Sequence, residues 1–176
     1  MKEKFQVIDR RDFIKKSGLG ALGLALAPTL LAKARANERL RTAHIGLGMM
    51  GKEDLKAISS HNLVDVVALC DVDANLLAEA QAMFPNAKTF KDYREMLKEM
   101  EDGIDAVVVS TPDHTHAPAS LMAMKMDKPV YCQKPLTHHV SEAREMKKVA
   151  EKKGLVTQMG IQVHSFYDYK LATLLI

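Results

Sequence analysis

The stretch HIGLGMMGK, His44 to Lys52, sets three glycines at G-x-G-x-x-G spacing between an apolar run and an amphipathic one. Glycine has no Cβ and tolerates positive φ, so backbone can approach another group closely there. The spacing alone fits a phosphate-binding turn and an ordinary tight turn equally. Its neighbours decide. Residues 40–47, LRTAHIGL, read as a strand entering the turn, and 50–61, MGKEDLKAISSH, as a helix leaving it, with Leu55 and Ile58 on one face. A helix starting there aims its unpaired N–H groups, and the positive end of its dipole, at whatever occupies the turn.

The same alternation continues along the chain. LVDVVALCDVD (63–73) is a short β-branched run, and ANLLAEAQAMF (74–84) is helical with Asp73 placed as its N-cap. AKTFKDYREMLKE (87–99) reads as a strand and then a helix. GIDAVVVSTP (103–112) contains a near-continuous buried strand of the kind parallel sheets use. APASLMAMKM (117–126) is helical, and KPVYCQKP (128–135) is a strand that stops at a proline. SEAREMKKVAEKKG (141–154) is a helix that opens on Ser-x-x-Arg, without the acid of a capping box, and closes at a glycine. LVTQMG (155–160) is the last strand, and 164–176 starts a further helix. Strands separated by helices predict an α/β fold with a doubly wound parallel sheet.

Such sheets bind ligands at the carboxyl ends of their strands, with the glycine turn facing a dinucleotide's pyrophosphate. Gly46 then permits the tight turn, Gly48 the approach of backbone to phosphate, and Gly51 close helix–strand packing. The next strand ends at Asp71, 25 residues after Gly46. A carboxylate there accepts hydrogen bonds from adenosine ribose hydroxyls and repels a 2′-phosphate, which favours NAD over NADP. Three further loops follow strands and are expected on the same rim: STPDHTH (110–116), QKP (133–135) and IQVHS (161–165).

The first 36 residues read differently. Arg10 and Arg11 precede an apolar, glycine-rich run from about Gly18 to Ala32, which ends in Ala34-Arg35-Ala36. That order matches a twin-arginine export signal with a small-residue cleavage site. The apolar run is too short and too rich in glycine to span roughly 30 Å of hydrocarbon, so no membrane span is expected after cleavage. Residues 1–36 hold eight Lys/Arg against three Asp/Glu; the remainder holds 17 against 19, so the net +3 of the chain belongs to the signal. With no Trp and no basic patch in the mature part, a nucleic-acid partner is not expected. Two cysteines, Cys70 and Cys132, make no disulfide framework. His114, His116, His138 and His139 lack metal-ligand spacing, and no metal site is expected.

The motifs IGLGMMG, CDVD, VVVSTPDHTHAPASLMAM, KPVYCQKPLTHHVSEAREM and TQMGIQVHS, in this order, cover nearly all of 41–176. In these the chain resembles the N-terminal half of the Gfo/Idh/MocA oxidoreductases, the glucose–fructose oxidoreductase and inositol dehydrogenase family. The resemblance implies a Rossmann domain over 37–163, then the start of a truncated α+β substrate domain at 164–176. It implies hydride transfer between a nicotinamide cofactor and a sugar or cyclitol, in a periplasmic protein whose full-length relatives are homo-oligomers. Gly46, Leu47, Gly48, Met49 and Met50 would cradle the pyrophosphate, and Asp71 would take the ribose. Ser110, Thr111, Pro112, His114 and His116 would flank the cofactor. Lys134 matches the catalytic lysine of the family's Glu-Lys-Pro motif, beside both nicotinamide and substrate.

The chain departs from that pattern at three places. Gln133 stands where the family usually has Glu; it keeps hydrogen bonding to a ribose but loses the charge that would steady Lys134. Ile161 and Val163 interrupt a run that is commonly Gly-Asn-Gln-Gly-His, leaving Gln162 and His164. The sequence stops at Ile176, before the substrate domain. Two alternatives to the oxidoreductase stand beside it: an NAD-dependent glycosidase working by transient oxidation and elimination, and an inactive NAD-binding fragment.

Overall fold

The structure is a computed structural model that describes residues 39–175. The export signal expected at 1–36 lies outside them. Six strands form one sheet: β1 (Leu40–Ile45), β2 (Val64–Cys70), β3 (Lys88–Phe90), β4 (Ala106–Val109), β5 (Val130–Gln133) and β6 (Thr157–Gly160). Their order is β3-β2-β1-β4-β5-β6, and every neighbouring pair is parallel. The helices are α1 (Met50–Ser59), α2 (Ala74–Met83), α3 (Tyr93–Glu99), α4 (Asp113–Lys125), α5 (Val140–Lys153) and α6 (Tyr167–Leu174). The sheet grows outward from β1 through β2 to β3, then returns to lay β4 on the other side of β1. The connections leaving β1 and β4 therefore diverge, and a crevice opens at their carboxyl ends.

Alternation along the strands supplies both faces of the sheet with apolar side chains. Ala43, Ile45, Ala68, Cys70, Val107 and Val109 join Met96, Ala119, Met124 and Met146 from α3, α4 and α5 in one cluster. Leu69 joins Leu47, Leu55 and Ala80 in the other, which α1 and α2 cover. A sheet buried on both faces needs apolar residues at consecutive positions. The Val-Val-Val of β4 meets that need, with all three buried.

Several expected boundaries move, each for a local reason. Helix α4 starts at Asp113 rather than near Ala117, placing an acid in its first turn where the helix dipole favours it. It carries Pro118 inside, at the loss of one N–H donor. His114 and His116 therefore lie on a helix and not in a loop. Helix α5 starts at Val140 with His139 as N-cap, which puts Glu142 at the third helical position. The Glu142 carboxylate accepts from His139 N at 2.9 Å. The acid of a capping box is thus present, contrary to expectation, because the helix begins one residue before the Ser-x-x-Arg start. Asp73 caps α2 as expected, accepting from Asn75 N at 2.8 Å.

One polar residue sits in β1 itself. His44 is buried, and its Nε2 lies 3.1 Å from Thr42 Oγ1, which also reaches Asp65 O. Thr42 can donate to Asp65 O and accept from the neutral ring, while Nδ1 has no partner. Burial lowers the imidazole from its ordinary 6.5 to about 4. The unfolded chain takes up a proton near 6.5 that the folded chain refuses until about 4. This contribution to stability is therefore complete above pH 6.5 and is lost as pH falls toward 4. Relative to wild type, His44→Leu should remove an acid-side loss of about 3 kcal/mol, read from urea midpoints measured across that range. Parallel pH profiles for the two proteins would overturn this assignment.

Candidate functional site

The turn between β1 and α1 is built by contact with the loop after β4. Gly46 has φ +86, and a Cβ there would lie 2.6 Å from the Ser110 carbonyl oxygen. A Cβ on Gly51 would collide with the Gly46 carbonyl oxygen and come within 3.3 Å of Ser110 Cβ. These two glycines let the two loops close on each other. Gly48 is less confined: its added Cβ would meet only the end of the Leu76 side chain, at 3.0 Å. Leu47 is buried and anchors the turn in the apolar cluster under α1 and α2. Met49 is 92% exposed with φ 43, and no side chain caps the N-terminus of α1. The first turn of this helix thus faces the crevice without a side-chain acceptor of its own.

Asp71, at the end of β2, fixes the turn from the other side. Its Oδ2 accepts from Leu47 N at 2.7 Å and its Oδ1 from Asp73 N at 2.9 Å. Beside it lies a mainly apolar cavity of about 270 Å³, lined among others by Gly46, Asp71, Val72, Tyr93, Thr111 and Pro112. Thr111 Oγ1 is buried and has no hydrogen-bond partner. An apolar slot flanked by a carboxylate and an unpaired hydroxyl suits a flat heteroaromatic group attached to a ribose.

Two of the remaining sequence candidates, Ser110 and Gln133, converge on α1. Asp54, buried in that helix, accepts from Ser110 Oγ at 2.6 Å and from Gln133 Nε2, which is 3.0 Å from both carboxylate oxygens. Gln133 Oε1 accepts in turn from Lys134 N at 3.0 Å. Gln162 Nε2 reaches Met50 Sδ at 3.5 Å, bringing the loop after β6 to the same helix. Lys134 is exposed at the carboxyl end of β5 and precedes a cis peptide bond to Pro135. Ser110 and Gln133 are expected against the cofactor from sequence; here their polar ends are turned inward onto Asp54.

His116 is likewise turned inward. It is buried, with Nδ1 2.6 Å from Pro135 O and Nε2 2.6 Å from Thr111 O. Its ring bridges the loop after β4 to the loop after β5. A neutral imidazole can donate to one of these carbonyls and an imidazolium to both. His114 is exposed, and both His114 and His138 approach Asp113, at 3.9 and 3.6 Å. Among the described residues no group of three or more His, Cys, Asp or Glu is placed to hold a metal ion. Both cysteines are buried and free. Burial, followed by the Asp71 and then the Asp92 carboxylate, pushes the Cys70 thiol up to about 12. Burial pushes Cys132 up to about 11, so neither offers a ready thiolate. Asp54 is absent from the sequence candidates. A signal for it exists: it stands three residues after Gly51 and beside Leu55, on the helix face that has to be buried.

The pattern of the GFO_IDH_MocA family, described as an oxidoreductase family with an NAD-binding Rossmann fold, matches residues 40–161. The chain belongs to this family. It is 36% identical over 133 residues to a glycosyl hydrolase family 109 protein of Stenotrophomonas maltophilia, covering 70% of this chain and 29% of that one. Myo-inositol 2-dehydrogenase of Lactobacillus plantarum superposes with a TM-score of 0.70 at 30% identity, over 78% of this chain and 41% of that one. GenD2 of gentamicin A biosynthesis, solved in complex with NAD, superposes with a TM-score of 0.65 at 28% identity, over 70% and 34% of the two chains. The chain thus spans roughly a third of the length of the curated relatives it matches. Its Rossmann domain is of the family's NAD-binding type. The glycine cradle, the uncapped helix and the apolar slot beside Asp71 fit that dinucleotide.

Gly46→Ala tests the cradle. It forces both an unfavourable φ and a contact with Ser110 backbone, so it should cost about 3 kcal/mol of stability, measured by urea denaturation. A loss within about 0.5 kcal/mol, the range of an ordinary surface substitution, would show that the loops are not packed this way.

Proposed function

We propose that this chain is the cofactor-holding part of an NAD-dependent oxidoreductase acting on a CH–OH group of a sugar or cyclitol. One observation carries the reading. Lys134 stands exposed at the end of β5, and its loop is tied to the helix that opens the glycine turn. A bound nicotinamide supplies the hydride acceptor or donor. The Lys134 ammonium polarises the reacting oxygen and exchanges its proton with it. Gly46, Leu47, Gly48, Met49 and Met50 take the pyrophosphate, Asp71 the ribose, and Thr111, Pro112 and His114 border the cofactor. His116 and Gln133 act from behind this surface. The carboxylate of Asp71 opposes a 2′-phosphate, so NAD is preferred to NADP.

The named relatives support the substrate class: one is an inositol dehydrogenase. Another belongs to a glycosyl hydrolase family, and that favours a second reading in which oxidation is transient and a glycosidic bond is cleaved. Cofactor turnover separates the two, because the glycosidase consumes no net NAD. The relatives are about three times as long as the matched stretch, which leaves room in them for a substrate-binding part, through which homo-oligomers would form.

Calorimetric titration of the chain with NAD and NADP is the direct test. NAD should bind saturably and NADP at least about tenfold more weakly, while Asp71→Asn should narrow that gap by about 1–2 kcal/mol. No NAD binding by folded protein would overturn the reading. In a form that carries the substrate part, Lys134→Met should lower turnover by roughly 10²–10⁴ with NAD affinity unchanged.

The paired Arg10–Arg11 and the apolar run after it support export of the folded protein to the periplasm by the twin-arginine machinery. Replacing both arginines by lysine should leave the protein in the cytoplasm on cell fractionation. Among the described residues, no helix is long and apolar enough to cross a membrane.

A further inference from the structure

We infer that Asp54 is a positioning residue for Lys134, acting through Gln133, and that glutamine at 133 is required by this buried carboxylate. The inference rests on the role given to Lys134 above, but its geometry stands apart from it.

Asp54 is 7% exposed and Gln133 4% exposed. A carboxylate can only accept hydrogen bonds, whereas a carboxamide has one accepting and one donating end. The Asp54 oxygens, both 3.0 Å from Gln133 Nε2, fix which end of the amide points at α1. The other end, Oε1, is then left facing Lys134 N, from which it accepts. The orientation of one buried amide is thereby transmitted to the backbone of the residue beside it. Ser110 Oγ donates to the same carboxylate at 2.6 Å, joining the loop after β4 to the arrangement. Burial, and next the Asp54 carboxylate, hold the Tyr131 phenol above its ordinary value.

A glutamate at 133 would set two carboxylates face to face in a buried space, where neither can donate to the other. The family's usual glutamate is therefore incompatible with an ionised Asp54. The departure at 133 and the aspartate at 54 form one unit, in which the charge sits on α1 instead of beside the lysine. The pair also predicts which exchange is tolerated. Asp54→Asn together with Gln133→Glu restores one donor and one acceptor across the contact. It also leaves a carboxylate oxygen at position 133 for Lys134 N.

The test uses the whole chain without cofactor and follows hydrogen exchange of the Lys134 amide by NMR. With Asp54→Asn, the new carboxamide can donate to Gln133 Oε1 and reverse the Gln133 amide, which turns an N–H toward Lys134 N. Exchange at Lys134 should then rise by about tenfold or more. Adding Gln133→Glu to Asp54→Asn should restore protection. Unchanged exchange in Asp54→Asn, or a double variant no better than the single one, would overturn the inference. If Asp54→Asn does not fold, a folded double variant with a protected Lys134 amide is the expected rescue, and failure of both to fold overturns it. NADH binding is measured alongside by fluorescence. Its absence from wild type would sink the cofactor reading without touching the exchange result.

Discussion

The site depends on a contact that leaves no room for a side chain. The turn after β1 and the loop after β4 meet where the sheet changes direction, and the Ser110 backbone occupies the space that a Cβ on Gly46 would need. Gly51 repeats the constraint within the turn, against the Gly46 carbonyl. Once the two loops touch, the start of α1 is fixed relative to the ends of β2, β4 and β5. Several other groups of the site are held to that helix or to that turn. Asp71 bonds to Leu47 N, Ser110 and Gln133 to Asp54, and Gln162 to Met50. The glycines thus serve the protein's own packing directly. Their spacing can be read as a fold signal before it is read as a binding signal.

This explains what is legible in the sequence. The alternation of strands and helices follows from local periodicity and from turn chemistry, and Asp73 at the head of α2 is recognisable from composition alone. Loop contacts are different. His116 looks like a rim histidine when α4 is taken to begin at Ala117. It becomes an internal bridge once the helix starts at Asp113 and its ring lies between two carbonyl oxygens. The shift of four residues changes which direction the side chain faces, and no local pattern fixes it. Glu142 is hidden in the same way, since a capping box is visible only when the N-cap is placed at His139.

Gln133 shows a different limit. Taken alone it reads as a loss: an uncharged residue where the family resemblance implies glutamate, with less to offer a neighbouring lysine. Its partner is 79 residues away in the chain, so no window of sequence contains both. In three dimensions Gln133 has a carboxylate beside it, that of Asp54 on the helix, where Ser110 and the Gln133 amide satisfy its oxygens. A buried carboxylate is costly unless its oxygens accept hydrogen bonds, and here they accept from the ends of two different strands.

That placement of the charge bears on what Lys134 can do. An ammonium beside a carboxylate is held in its charged form and shares its donors with that neighbour. With the charge withdrawn behind Gln133, the contact to Lys134 comes from a neutral amide oxygen, and it goes to the backbone nitrogen rather than to the side chain. The backbone of Lys134 is thus held from inside the protein while its side chain stands at the exposed rim. The role proposed for Lys134, approach to a substrate oxygen and exchange of a proton with it, benefits from that division. Its base is fixed, and its donors are left for the substrate.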